Sequence, residues 1–230
     1  MADILIFDQL NRNLWTFALT LFLVCALIFL NRAYKSKKNE ERYFCFGFFL
    51  IFLGLTLLRF FFFISDYLAT GHYVGHEYYG FYDVSNQTYL NLVSVGYLAF
   101  FISITLALVM FESILKNTKY FFSFLSFLAL MTFLLMPIAY KVALRYFLVF
   151  INGAVLFVIL IRFYRQPDKK YKRFVKVILV SLGFYLVGSL IDTEMLKELA
   201  GSPSFPIIFF IVSASLGLST MVMNLDSVNN

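Results

Sequence analysis

Runs of about 20 apolar residues, the length a helix needs to cross ~30 Å of hydrocarbon, recur along the whole of this chain. Seven can be marked off: Leu14–Leu30, Phe44–Ser65, Leu90–Phe111, Tyr120–Ala139, Leu144–Ile161, Phe174–Ile191 and Pro206–Met223. Stretches such as Leu21–Leu30 are continuously apolar. A membrane-barrel strand would alternate over about ten residues, so the runs read as helices. Composition points the same way. The chain is 61% hydrophobic and 14% charged, with a mean hydropathy of +0.83, against about half and about a quarter in a soluble domain. Such a chain cannot cover its apolar surface in water, and a lipid bilayer is the solvent it needs. The connections are too short for a separate soluble domain. One all-α domain is predicted over residues 1–230, an integral membrane seven-helix bundle.

The basic residues orient the bundle. Of 19 Lys and Arg, only Arg12, Lys141, Arg145 and Lys197 fall on one side of the predicted membrane, and Arg59 lies within the second span. The rest crowd the opposite side. Lys and Arg mark cytoplasmic loops, so the N-terminus is expected outside and the C-terminus in the cytoplasm. Asn86-Gln87-Thr88, a glycosylation sequon, falls in a loop placed outside. The leader carries Asp3, Asp8 and Arg12 rather than a basic stretch, so the first span is read as a retained helix and not a cleaved signal. The net charge of +6 is juxtamembrane, and no nucleic-acid partner is expected. Lys169, Lys170, Lys172 and Arg173, in a turn predicted at Arg162–Arg173, are candidates for contact with anionic lipid headgroups.

Other connections are short. Lys35–Tyr43 is predicted as a basic turn, and Tyr140–Ala143 as the turn that makes helices 4 and 5 antiparallel neighbours. The long outer connection, Asp66–Tyr89, holds His72, His76, Glu77 and Asp83 among tyrosines and glycines. A histidine pair four apart faces one way only on a helix, and Gly71, Gly75 and Gly80 oppose a helix there. An aromatic loop with two surface histidines is therefore predicted, and no metal. In the last span Ser213 and Gly217, and likewise Ser215 and Ser219, stand four apart, a spacing that lets helix backbones approach. Cys25 and Cys45 show no redox or metal spacing and read as helix filler.

No span contains histidine, which removes a bis-histidine haem, an intramembrane zinc hydrolase and a Ser–His protease. The last span has no lysine for a retinal Schiff base, and no phosphate-binding glycine loop or intramembrane carboxylate pair is present. Neither an enzyme nor a cofactor is expected. Arg59 is the exception to an uncharged interior, at about 2.5–3.5 kcal/mol on insertion scales. Two readings compete: it reaches the outer headgroups, or it pairs with an acid. Helical side chains lean towards their own N-terminus, which on this outward-running helix is away from the headgroups and from Asp66. Asp192, directly after Ile191 at the outer end of helix 6, is the favoured partner.

The layout of seven helices, N-terminus out, with a structured outer loop and compact inner turns, resembles the prokaryotic seven-transmembrane sensor region found at the N-terminus of some histidine kinases. The segment Arg59-Phe60-Phe61-Phe62-Phe63-Ile64-Ser65-Asp66-Tyr67 is similar to uncharacterised archaeal multi-pass proteins. The resemblance implies a non-enzymatic sensor or receptor-like module. The sequence ends at Asn224–Asn230 without an output domain, so signalling through a separate partner protein is expected. The competing classes are a small transporter or channel, and a subunit of a membrane complex held through Ser213–Ser219.

Overall fold

The computed structural model describes residues 2–70, 87–115, 117–165, 169–191 and 205–220, and all of its regular structure is helical. The helices are α1 (Ala2–Lys35), α2 (Asn39–Thr70), α3 (Gln87–Leu115), α4 (Phe121–Leu135), α5 (Ile138–Arg165), α6 (Lys169–Ile191) and α7 (Phe205–Ser219). The end of the bundle at which α1 begins is called upper and the opposite end lower.

Five helices contain stretches long and apolar enough to cross a membrane: Arg12–Lys35, Asn39–Ser65, Leu90–Leu115, Leu144–Arg165 and Tyr171–Ile191. The other two of the seven predicted spans are shorter apolar helices among the described residues. α4 and the described part of α7 have 15 residues each, about 22 Å of helix, against ~30 Å of hydrocarbon. The predicted fourth span, Tyr120–Ala139, was placed wrongly at its upper end. Proline disfavours the α conformation in the residue before it, and Met136, ahead of Pro137, is extended (φ −77°, ψ 143°). α4 therefore stops at Leu135 and α5 starts at Ile138, so the turn predicted at Tyr140–Ala143 is helical.

Other predicted turns shrink for a similar reason. Charged residues were read as turn residues, although they suit helix ends. α1 runs on through Arg32 and Lys35 in its last turn, and α2 opens with Glu40 and Glu41 in its first, the signs that the helix dipole favours. Lys169, Lys170, Lys172 and Arg173 belong to the first turns of α6, not to a loop. The connection predicted over Asp66–Tyr89 is narrowed at both ends, because α2 continues to Thr70 and α3 starts at Gln87.

Neighbouring helices close a ring: α1 packs on α2 and α7, α2 on α3, α3 on α4 and α5, α4 on α5, α5 on α6, and α6 on α7. Phenylalanines fill the middle. Phe22, Phe29, Phe44, Phe48 and Phe52 are fully buried, and Phe29, Phe44 and Phe48 meet Phe111, Phe163 and Phe174 of the other helices. Phe29 stacks on Phe52 with planes 8° apart and meets Phe174 edge-on at 82°. Each such pair adds about 0.5–1.5 kcal/mol beyond its area. In lipid, packing of this kind drives helix association more than apolar transfer does.

Small residues set the closest approaches. A Cβ on Gly54 of α2 would lie 2.7 Å from Ser103 Cβ of α3, and one on Gly217 of α7 would lie 2.7 Å from Phe52. Ser213 and Gly217 share the buried face of α7, whereas Ser215 and Ser219 are exposed. Ser181 of α6 donates to the Ser213 carbonyl at 2.7 Å, and Arg32 of α1 to the Thr220 carbonyl at 3.3 Å. Cys25 is buried and donates to the Ala214 carbonyl at 3.4 Å, a packing role as read from the sequence.

At the lower end Glu112, 2% exposed, serves structure. Its carboxylate accepts the Phe122 and Ser123 amides at 3.1 and 2.7 Å, and the Ser123 hydroxyl as well. A carboxylate from α3 thus caps the N-terminus of α4, where helix amides lack partners and the dipole favours an anion. The chain enters α4 through Lys119 and Tyr120, both at positive φ, and the cap holds that costly turn in place. Higher up, Asn152 of α5 binds α4. Its Oδ1 accepts from Ser126, so Ser126 has no proton left and Thr105 of α3 donates to it at 2.8 Å.

Candidate functional site

Arg59 is the charged residue that most needs an account, and the structure supplies it with an aromatic box. It is 6% exposed and reaches across the bundle to α6 rather than out to a headgroup surface. Its guanidinium carbon lies 4.1 Å from the Phe210 ring centre, 5.2 Å from Trp15, and 5.7 Å from both Phe62 and Tyr185. Nε donates to the Tyr185 hydroxyl at 3.4 Å, and a terminal nitrogen donates to Ser189 at 3.2 Å. A planar, delocalised cation suits this surrounding, because it stacks on rings and is more weakly hydrated than an ammonium. Cation–π contacts reach about 2 kcal/mol when desolvated, comparable with the insertion cost. One side chain on α2 thereby touches α1, α6 and α7.

The favoured acid partner, Asp192, lies outside the described residues, as do His72, His76, Glu77, Asp83 and Asn86. Asp66 is described only as part of the α2 backbone, and Lys169 and Lys170 only as part of α6. Arg59 meets Ser189, which in sequence is three residues before Asp192. Lys172 and Arg173 are exposed, and the Lys172 ammonium sits 5.0 Å from the Tyr164 ring.

Sequence reasoning did not single out Lys141 and Arg145. Once α5 starts at Ile138, the two stand one turn apart on one helical face. They line a shallow cleft at the surface near the upper end. Leu90, Val93, Ser94 and Tyr97 of α3 form one wall, and Phe133 of α4 another. The Lys141 ammonium lies 5.2 Å from the Phe133 ring, and Arg145 lies 5.6 Å from the Tyr97 ring and 4.9 Å from that of Tyr146. Arg145 also donates to the Tyr146 hydroxyl at 3.2 Å. The missed signal was Pro137: a helix boundary there makes Lys141 and Arg145 an i, i+4 pair.

Aromatic contacts join the cleft to the box. Tyr97 meets Phe62 edge-on at 5.4 Å, and Phe62 lies against Arg59. The path runs Arg145, Tyr97, Phe62, Arg59 and then Tyr185 and Ser189 of α6.

These spans and this all-helical ring define a multi-pass helical membrane protein, with the lipid bilayer as its surroundings. No family model, curated protein or solved structure matches the chain.

Proposed function

We propose that the protein is a non-enzymatic, receptor-like sensor, with its upper end outside the cell and its lower end in the cytoplasm, acting through a separate partner protein. The orientation is supported by the basic residues, which crowd the lower end. The observation that carries the functional reading is Arg59. A buried cation within a membrane span is costly, and such residues mark function. Here it ties α2 to α1, α6 and α7 through directional contacts. A change at the upper end that disturbs it changes how these helices meet. The phenylalanine column in the ring supports this reading over a transporter, since it fills the space that a solute path would use.

The test is photo-cross-linking in cells from Lys38 and Lys172, both exposed at the lower end, in the wild type and in Arg59→Lys. Lysine keeps the charge but loses the planar stack. A sensor is expected to cross-link one discrete partner, with a yield that changes in the variant. Solute flux in proteoliposomes without any partner, abolished by Arg59→Lys, would show a transporter instead.

A further inference from the structure

We infer that the shallow cleft between α3, α4 and α5 is a binding site for the anionic tip of a phosphate or carboxylate ligand, with Lys141 and Arg145 as its ligands. Three observations combine. First, two cations one helical turn apart line the same opening. A guanidinium offers planar, paired donors to an oxyanion, while the neighbouring ammonium adds a mobile point charge. Second, the rest of the lining is mixed. Ser94 and Tyr97 bring hydroxyls, whereas Leu90, Val93 and Phe133 are apolar. Such a wall accepts an anionic tip together with the start of a hydrocarbon body. Third, size limits the ligand. The cleft has room for about 10 Å³, on the order of one water-sized group, so it seats the tip of a ligand while the remainder lies outside.

Tyr140 and Tyr146 are exposed on α5 beside the opening, in keeping with the headgroup zone, where an apolar ring and a polar tip both find partners. The oxyanion belongs either to an amphiphile in the bilayer or to a free anion from the aqueous side. The inference deepens the receptor reading and rests on it for what binding does: an anion drawing on Arg145 pulls on Tyr97, and through Phe62 on Arg59 and α6.

The experiment measures binding and response separately. Protein is placed in phosphatidylcholine nanodiscs containing either phosphatidylglycerol or oleate, and a third sample receives inorganic phosphate alone. Native mass spectrometry counts the retained anion, and the emission of Trp15, the chain's single tryptophan, reports the Arg59 box. Retention of one anion, weakened roughly tenfold or more in K141Q/R145Q, is expected. S94F keeps both charges but fills the cleft, and the same loss is expected, so a folding defect in the first variant cannot imitate the result. The triple variant Lys169→Gln, Lys170→Gln and Lys172→Gln, altered at the other end, is expected to keep that anion. Retention from the nanodisc amphiphiles alone assigns the site to a lipid headgroup, and retention of inorganic phosphate assigns it to a soluble anion. Equal retention by the wild type, K141Q/R145Q and S94F would overturn the site. Cleft-dependent retention with no change in Trp15 emission would uphold the site and remove the receptor reading.

Discussion

At Arg59 the sequence carried the problem and part of its solution. A charge in an apolar span was legible, and so was the direction of the answer, because helix 6 was named as its source. The aromatic box was not legible, since Trp15, Phe62, Tyr185 and Phe210 come from four helices and no local pattern links them. A tyrosine and a serine hold the guanidinium from α6. We propose that Asp192 completes the arrangement. A double-mutant cycle on thermal stability in detergent, with Arg59→Leu, Asp192→Leu and the pair, is expected to show each single loss exceeding that of the double variant. Additive losses would mean that the two carboxylate and guanidinium groups do not interact. Gly54 gives a plainer expectation. Gly54→Val would drive a side chain into Ser103 of α3, at about 1–3 kcal/mol of overpacking, read as a lower midpoint in thermal unfolding. Ser103→Gly on the same background is expected to recover part of the loss.

Among the elements, the apolar runs located the seven described helices, because a chain this apolar must satisfy its backbone within helices wherever it meets lipid. The ends were harder. Charged residues looked like turns and were helix termini, as in Asn39–Arg42 and Lys169–Arg173. Met136-Pro137 looked like part of a span and was a break. That single misplacement hid the Lys141–Arg145 face and with it the cleft. The α4 cap was equally invisible, since Glu112 and Ser123 belong to different helices. Glu112→Gln keeps one acceptor and loses the charge that the helix N-terminus favours. It is expected to cost about 1 kcal/mol and to speed hydrogen exchange at the Phe122 and Ser123 amides. Unchanged exchange at those two amides would show that the cap contributes nothing to the start of α4.

For the whole molecule, composition alone called for lipid, and the closed ring with its phenylalanine filling is how the chain meets that demand. The orientation is a proposal from charge. Single cysteines introduced at Ala2 and at Asn230, in a chain with Cys25 and Cys45 replaced, are expected to react with an impermeant reagent on intact cells at the first position only. The reverse pattern would invert the bundle. The proposed sensor function depends on whether the upper box governs the lower end. The most direct measurement is the distance distribution between spin labels at Lys38, just before α2, and Arg173 on α6, both exposed at the lower end. Wild type and Arg59→Lys would be compared in nanodiscs by double electron–electron resonance. A shifted or broadened distribution in Arg59→Lys, with Ser215→Ala unchanged as a control, is the expected result. Identical distributions in a folded Arg59→Lys protein would contradict the account, leaving Arg59 as a packing residue that tells the lower end nothing.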